Sequence, residues 1–206
     1  MALRGTIGDA TGVATASDDS QGHLRLAPVF PRRLRDHWLE GHAAEVAQLA
    51  LDLGRGLGLG SEELLELELA ARLHDVGKRA VPEAILSKPA PLSSAEWSVM
   101  RRHPEWGSGM LADVPGLGAV ADAVHAHHER WDGSGYPLGL AGEDIPLASR
   151  IVAVCDAFSA MTADRPYRAA CSSAEAMSEL RRCSGSQFDP EIVEAFVDHA
   201  EHSAVA

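Results

Sequence analysis

The chain has 206 residues, 46% of them hydrophobic and 23% charged, a balance that fits one soluble domain with a substantial core. A formal charge of −12 argues against a duplex nucleic-acid binder and admits an anionic small substrate only where basic residues converge locally. No apolar run approaches the ~20 residues of a membrane span, and the N-terminus lacks the order of a secretion signal, so no membrane association and a cytoplasmic location are expected.

Residues 1–34, rich in Gly, Ala, Thr, Ser and Asp without an apolar period, read as a flexible tail or linker. A domain over residues 35–202 follows, with residues 203–206 as a short C-terminal tail. From His37 a helical period sets in, with His42, Val46, Leu49, Ala50 and Leu53 on one face. Gly54, Gly56, Gly58 and Gly60 end that helix, and this glycine run lacks the Gly-Lys-Ser/Thr ending that grips phosphate. Ser61 is expected to cap the next helix, whose Leu67, Ala70, Ala71 and His74 share a face. Ser93-Ser94-Ala95-Glu96 is a capping box, and Pro104 marks the first position of another helix.

Ala121, Val124, His125 and His128 again keep helical spacing. Residues 129–146 then carry Gly133, Gly135, Pro137, Gly139, Gly142 and Pro146, which predicts a long ordered loop. Ile151, Val154, Cys155 and Phe158 form the apolar stripe of the following helix. Two more helices start at the Ser172-Ser173-Ala174-Glu175 capping box and at Asp189-Pro190. With aromatic residues at only 5% and no strand pattern, the expected fold is all-α. Cys155, Cys171 and Cys183 match no zinc spacing and read as reduced structural thiols.

Among the histidines, placement carries the chemistry. Any single one of His42, His74 and His128, beside an apolar helix face, reads as a hydrogen-bonded core histidine. The adjacent pairs His74-Asp75 and His127-His128 change that reading. Neighbours on a helix project about 100° apart, so both members of a pair reach one cavity, and burying four such polar groups without a cation is costly. Imidazole with carboxylate suits Fe, Mn or Zn. Asp75 has two oxygens with which to bridge a pair of metals, and two metals roughly 3.5–4 Å apart are a recurrent device for phosphoester hydrolysis.

His74-Asp75-Val76-Gly77-Lys78 and the segment from His127-His128-Glu129 to Asp132-Gly133-Ser134-Gly135-Tyr136-Pro137 resemble the HD-GYP phosphodiesterases, a branch of the HD-domain metal hydrolases. The resemblance covers residues 42–199 and implies an HD-domain helical bundle with a Gly-Tyr-Pro loop. It also implies the ligand set His42, His74, Asp75, His103, His127, His128 and Asp156 around two divalent ions, Fe or Mn. The same resemblance makes Asp75 and Lys78 catalytic and gives Lys78, Arg165 and Arg168 phosphate contacts. Tyr136 would meet a nucleobase or phosphate, and the loop glycines would let backbone approach a ligand. Glu129 and Asp132 are expected to orient ligating imidazoles. His125 lies outside the pattern, and His23, His37, His199 and His202 read as surface residues.

The implied reaction is hydrolysis of cyclic di-GMP to linear pGpG or GMP by a metal-bridging hydroxide. The rivals are an HD-type hydrolase of another cyclic dinucleotide or nucleotide, and a regulatory module that binds such a ligand without turnover. A sensor or diguanylate cyclase would be a fitting regulatory partner. One departure stands out: Trp38 occupies the place where some members carry a Glu that helps hold a third metal, and Glu40 points away from His42, so two metals are expected.

Overall fold

The computed structural model describes residues 41–164 and 169–203. The expectations for residues 1–34, His37, Trp38, Glu40, Arg165, Arg168 and residues 204–206 lie outside them. Among the described residues the secondary structure is helical, apart from a single bridge between Ser184 and Phe188. The expected all-α fold is what forms, and no described helix is long and apolar enough to cross a membrane.

The pattern that makes α1 (Gly41–Gly56) amphipathic buries Ala43, Val46, Ala47, Ala50 and Leu53. These small and branched side chains meet Leu67, Ala70, Ala71 and Leu73 of α2 (Ser61–Leu73). Gly54 permits the closest approach, because a Cβ there would stand 2.9 Å from Leu67 Cδ2. α2 begins one residue earlier than its sequence suggests. Gly60 is the N-cap and Ser61 the first helical residue, while the Glu63 carboxylate accepts from the Gly60 N–H at 2.8 Å. Glu63 has the longer reach and satisfies that free donor without a capping hydroxyl.

A 3-10 turn (Val76–Ala80) leads through α3 (Glu83–Leu86) to α4 (Ser94–Met100), opened by the Ser93/Glu96 capping box as expected. α5 (His103–Ala112) has Arg102 as its N-cap, so Pro104 falls one position later than anticipated. α6 (Gly118–Ala126) packs on α5 and α2, and its half-buried His125 is no part of the site. α7 (Leu147–Thr162) runs through the centre, burying Ile151, Val152, Val154 and Cys155 against α1 and α2. α8 (Ser173–Cys183) and α9 (Pro190–Ser203) close one side of the core with Leu180, Ile192, Val193, Phe196 and Val197. His199 and His202 are exposed on α9. All three cysteines are free thiols, and burial pushes the Cys155 thiol up, leaving it inert.

Two close approaches position the site. Gly77 lies so near the first turn of α5 that a Cβ would meet the His103 carbonyl oxygen at 1.9 Å and the Gly107 nitrogen at 2.5 Å. The Asp75 turn is thereby pressed against the helix that carries His103. In the 129–146 loop, a Cβ on Gly135 would stand 2.4 Å from the Arg130 nitrogen. This glycine is required by the chain's own backbone folding back on itself, at a point that also lines the cavity beside Tyr136.

Candidate metal centre

The paired ligands stand at helix ends, not along helix faces. His74 is the C-cap of α2 with Asp75 beyond it, and His127 is the C-cap of α6 with His128 beyond it. His103 opens α5 directly after α4. The last carbonyls of a helix have no partner within it, and the imidazoles use them. Nδ1 of His74 donates to Ala71 O at 2.7 Å, that of His103 to Met100 O at 2.9 Å, and that of His127 to Val124 O at 2.6 Å. Each bond spans three residues. A neutral imidazole carries one proton, so all three Nε2 atoms point into the cluster as lone pairs.

His42 reaches the same state by a different route. The Glu45 carboxylate only accepts, so the Ser159 hydroxyl donates to it at 2.9 Å and then accepts from His42 Nδ1 at 3.1 Å. His42 Nε2 stands 3.0 Å from Asp156 Oδ1, and with its Nδ1 proton donated to Ser159 it can offer a lone pair to a cation there. Neither Ser159 nor Glu45 was singled out in the sequence. The available signal was spacing, since Ser159 follows Asp156, and Glu45 follows His42, by one helical turn.

The result is a cluster of closely spaced ring nitrogens and carboxylate oxygens with few protons to share among them. Nε2 of His103 lies 3.2 Å from Nε2 of His127 and 3.3 Å from Asp75 Oδ1. Nε2 of His74, sealed from solvent without a well-formed hydrogen bond, lies 3.3 Å from Asp75 Oδ2 and 3.9 Å from Asp156 Oδ1. The donor atoms form two groups, Asp75 with His103, His127 and His128, and His42 with His74 and Asp156, each within 4.8 Å.

Electrostatics agree with this picture. Burial, reinforced by neighbouring imidazoles, holds His127 well below its ordinary value and brings His128 down to about 3. Burial acts against ionisation of Asp75 and Asp156, yet the adjacent histidines keep both carboxyls below the usual range. His74 departs from this picture: burial opposes its protonation, but Asp75 and Asp156 outweigh burial and raise it to about 9, so without a cation its Nε2 carries a proton directed at Asp75, which a metal would displace. Buried lone pairs and carboxylates at these spacings call for a cation. Mixed imidazole and carboxylate donors without thiolate suit Fe, Mn or Zn, so the residues present fit a divalent metal.

The cluster borders a cavity of about 370 Å³ whose lining includes His127, His128 and Asp156 together with Arg101, Tyr136 and Phe188. That size suits a small-molecule site. Tyr136 stacks on His128, with ring centroids 4.9 Å apart at 29°. Burial pushes its phenol up to about 12, so it faces the cavity as a neutral donor. The loop is held by Glu129, whose Oε1 accepts from the N–H groups of Leu138 at 2.6 Å and Gly139 at 3.1 Å. Asp132 binds Arg130 and Ser134. Both carboxylates therefore fix the loop, and neither is hydrogen-bonded to an imidazole, which corrects the sequence expectation: helix-end carbonyls and Ser159 take the Nδ1 atoms of His42, His74, His103 and His127. Lys78 points its amine at Asp75 Oδ2, 2.5 Å away.

Comparison with known proteins agrees with the geometry. A family model described as "HD domain" matches residues 32–192. A cyclic di-GMP phosphodiesterase of Pseudomonas aeruginosa is 44% identical over 93% of this chain and 48% of its own length. A 3'3'-cGAMP-specific phosphodiesterase of Vibrio cholerae is 40% identical over 77% of this chain and 31% of its own. The chain thus spans about half or less of the length of these relatives. A solved cyclic GMP-AMP phosphodiesterase of V. cholerae superposes with a TM-score of 0.64 at 22% identity, covering 82% of this chain and 46% of that one. The HD domain of the L. monocytogenes phosphodiesterase PgpH, in complex with cyclic-di-AMP, gives 0.57 at 15% identity over 84% of this chain and 96% of that one. With the family model spanning most of its length and solved relatives sharing its helical frame, this chain belongs to the HD domain family.

Proposed function

We propose that this chain hydrolyses a 3′,5′-phosphodiester of a guanine-containing cyclic dinucleotide, cyclic di-GMP first and 3′3′-cGAMP second. The observation that carries this reading is the buried acceptor cluster of His42, His74, Asp75, His103, His127, His128 and Asp156 beside the cavity under Tyr136. The relatives named as cyclic di-GMP and 3'3'-cGAMP phosphodiesterases supply the substrate class.

His42, His74 and Asp156 would hold one divalent ion, and Asp75, His103, His127 and His128 a second, either Fe or Mn. Asp75 faces His103 with Oδ1 and His74 with Oδ2, so its two oxygens would be available to both ions. When bound, such ions supply Lewis acidity toward water and phosphate. Lys78, now on Asp75, lies beside that carboxylate and neutralises a non-bridging phosphate oxygen. Arg165 and Arg168 add charge from the segment after α7. Tyr136 donates its phenol to the bound nucleotide while its ring keeps water from the His128 side.

The test is direct. Protein loaded with Mn or Fe is incubated with cyclic di-GMP and with 3′3′-cGAMP, and linear dinucleotide and mononucleotide are quantified by chromatography. Turnover that depends on metal is expected, and the dominant product distinguishes one cleavage from two. Tight binding without turnover would make the chain a regulatory module. Asp75→Ala should lose both metal and turnover; full retention of either removes the bridging role.

A further inference from the structure

We infer that Arg101 is a substrate-contact residue, holding the second phosphate of the cyclic dinucleotide, the one remote from the metal ligands. The inference rests on the function proposed above and extends it to a residue outside the ligand set.

Arg101 is the C-cap of α4, two residues before His103, so the turn that places a metal ligand also places this guanidinium. Its Cζ lies 5.3 Å from the centroid of Tyr136, which is itself stacked on His128. His128, Tyr136 and Arg101 thus form a series leading from the ligands to the exposed rim of the cavity. A contact with an aromatic ring orients a guanidinium without using its N–H fork.

Among the described residues, the charges around the cavity single this residue out. Arg130 also lines it, but its Nε and Nη2 are held by Asp132 and Ser134. Lys78 is held by Asp75. Arg101 has no carboxylate partner among the described residues, in a chain whose formal charge is −12. An exposed arginine beside an anion-accepting cavity, oriented by a ring and left with its donors free, matches a phosphate in charge and in shape. A cyclic dinucleotide has two phosphodiesters. The metal cluster accounts for one, and the other needs its own cation at a distance from the cluster.

The experiment compares wild type with Arg101→Gln and Arg101→Lys, all metal-loaded. For cyclic di-GMP and 3′3′-cGAMP alike, Arg101→Gln should raise KM on the order of 10–100-fold, the scale of one charge-assisted contact, with little change in kcat. Bis(p-nitrophenyl) phosphate, which has a single phosphodiester, should be cleaved within about twofold of wild type. Arg101→Lys should recover part of the loss, and metal content should be unchanged. Unaltered KM for both dinucleotides overturns the inference, as does an equal loss on the single diester. A loss confined to cyclic di-GMP also overturns it, because that pattern marks a guanine contact instead. If wild type turns over neither dinucleotide, the proposed function has failed before any variant is made. Equilibrium binding of cyclic di-GMP to wild type and Arg101→Gln then decides the contact alone, and equal affinities overturn it.

Discussion

Ser159 has one hydroxyl proton, and where that proton goes determines the tautomer of His42. Given to Glu45, it leaves the serine oxygen as an acceptor for His42 Nδ1–H, and Nε2 is free to ligate. Ser159→Ala should therefore lower metal affinity by about 10–100-fold, the usual effect of removing a group that orients a ligand. Competition with a chelating dye measures the affinity, and the ¹⁵N shifts of the His42 ring report the tautomer. Unchanged affinity with an unchanged ring would reduce Ser159 to a packing residue. At this scale the sequence exposed the clustered histidines and carboxylates because such side chains are scarce in a helical core. It concealed Ser159 because serine is common on helices, and only the turn shared with Asp156 distinguishes it. Arg101 was concealed for a related reason, since an isolated arginine reads as a solvated surface residue until Tyr136 is seen beneath it.

The helices themselves depend on a few contacts at their ends. Gly77→Ala forces a methyl group into the His103 carbonyl and the Gly107 nitrogen, both backbone atoms that cannot rotate away. A loss of about 3 kcal/mol or more is expected, together with metal loss, because the same turn carries Asp75. Gly109→Ala on the exposed side of α5 meets nothing within 4 Å and should stabilise by about 0.5–1 kcal/mol. Urea unfolding of the two variants checks both signs, and equal effects would remove the close-approach argument. The Glu96 cap is sensitive to pH. Hydrogen bonds from Lys88 and from Ser93 bring its carboxyl down to about 2, against 4.5 unperturbed. Its contribution is complete above pH 4.5 and is lost as pH falls toward 2, so amide exchange in α4 should accelerate over that window. In Glu96→Gln the acceleration should vanish. Both capping boxes were legible because Ser and Glu at that spacing have a local meaning. The helix-end position of the histidine pairs was not, because His74 and His128 stay in phase with the apolar face and the period reads straight through the last turn.

Across the whole molecule the candidate ligands come from α1, the ends of α2 and α6, the start of α5 and the middle of α7. The side chains concerned run from residue 42 to residue 156, so the cavity they share with the 129–146 loop was beyond any local pattern. The loop is fixed by long-range bonds, such as Trp131 N–H to Gln187 O at 3.2 Å and Asp132 N–H to Ser186 O at 2.9 Å. Arg150 adds a further tie, donating to Ile145 O at 2.9 Å and to the buried Asp189 carboxylate at 2.6 Å. A cation at the cluster therefore adds a link between helices already joined by packing and a few hydrogen bonds, and it binds only where they are assembled. Metal should stabilise the fold by mass action, about 2.7 kcal/mol when its free concentration is a hundredfold above Kd. For a chain of this length that corresponds to a rise in Tm of about 5–10 °C. Stripping the protein with a chelator should lower Tm by that amount, and readdition of Mn should restore it in a concentration-dependent way. Asp156→Asn removes a ligand from one of the two donor groups, so its Tm should respond to Mn by roughly half as much. A wild-type Tm indifferent to chelator and metal would show that the five elements are locked by packing alone, and that the acceptor cluster is satisfied without a cation.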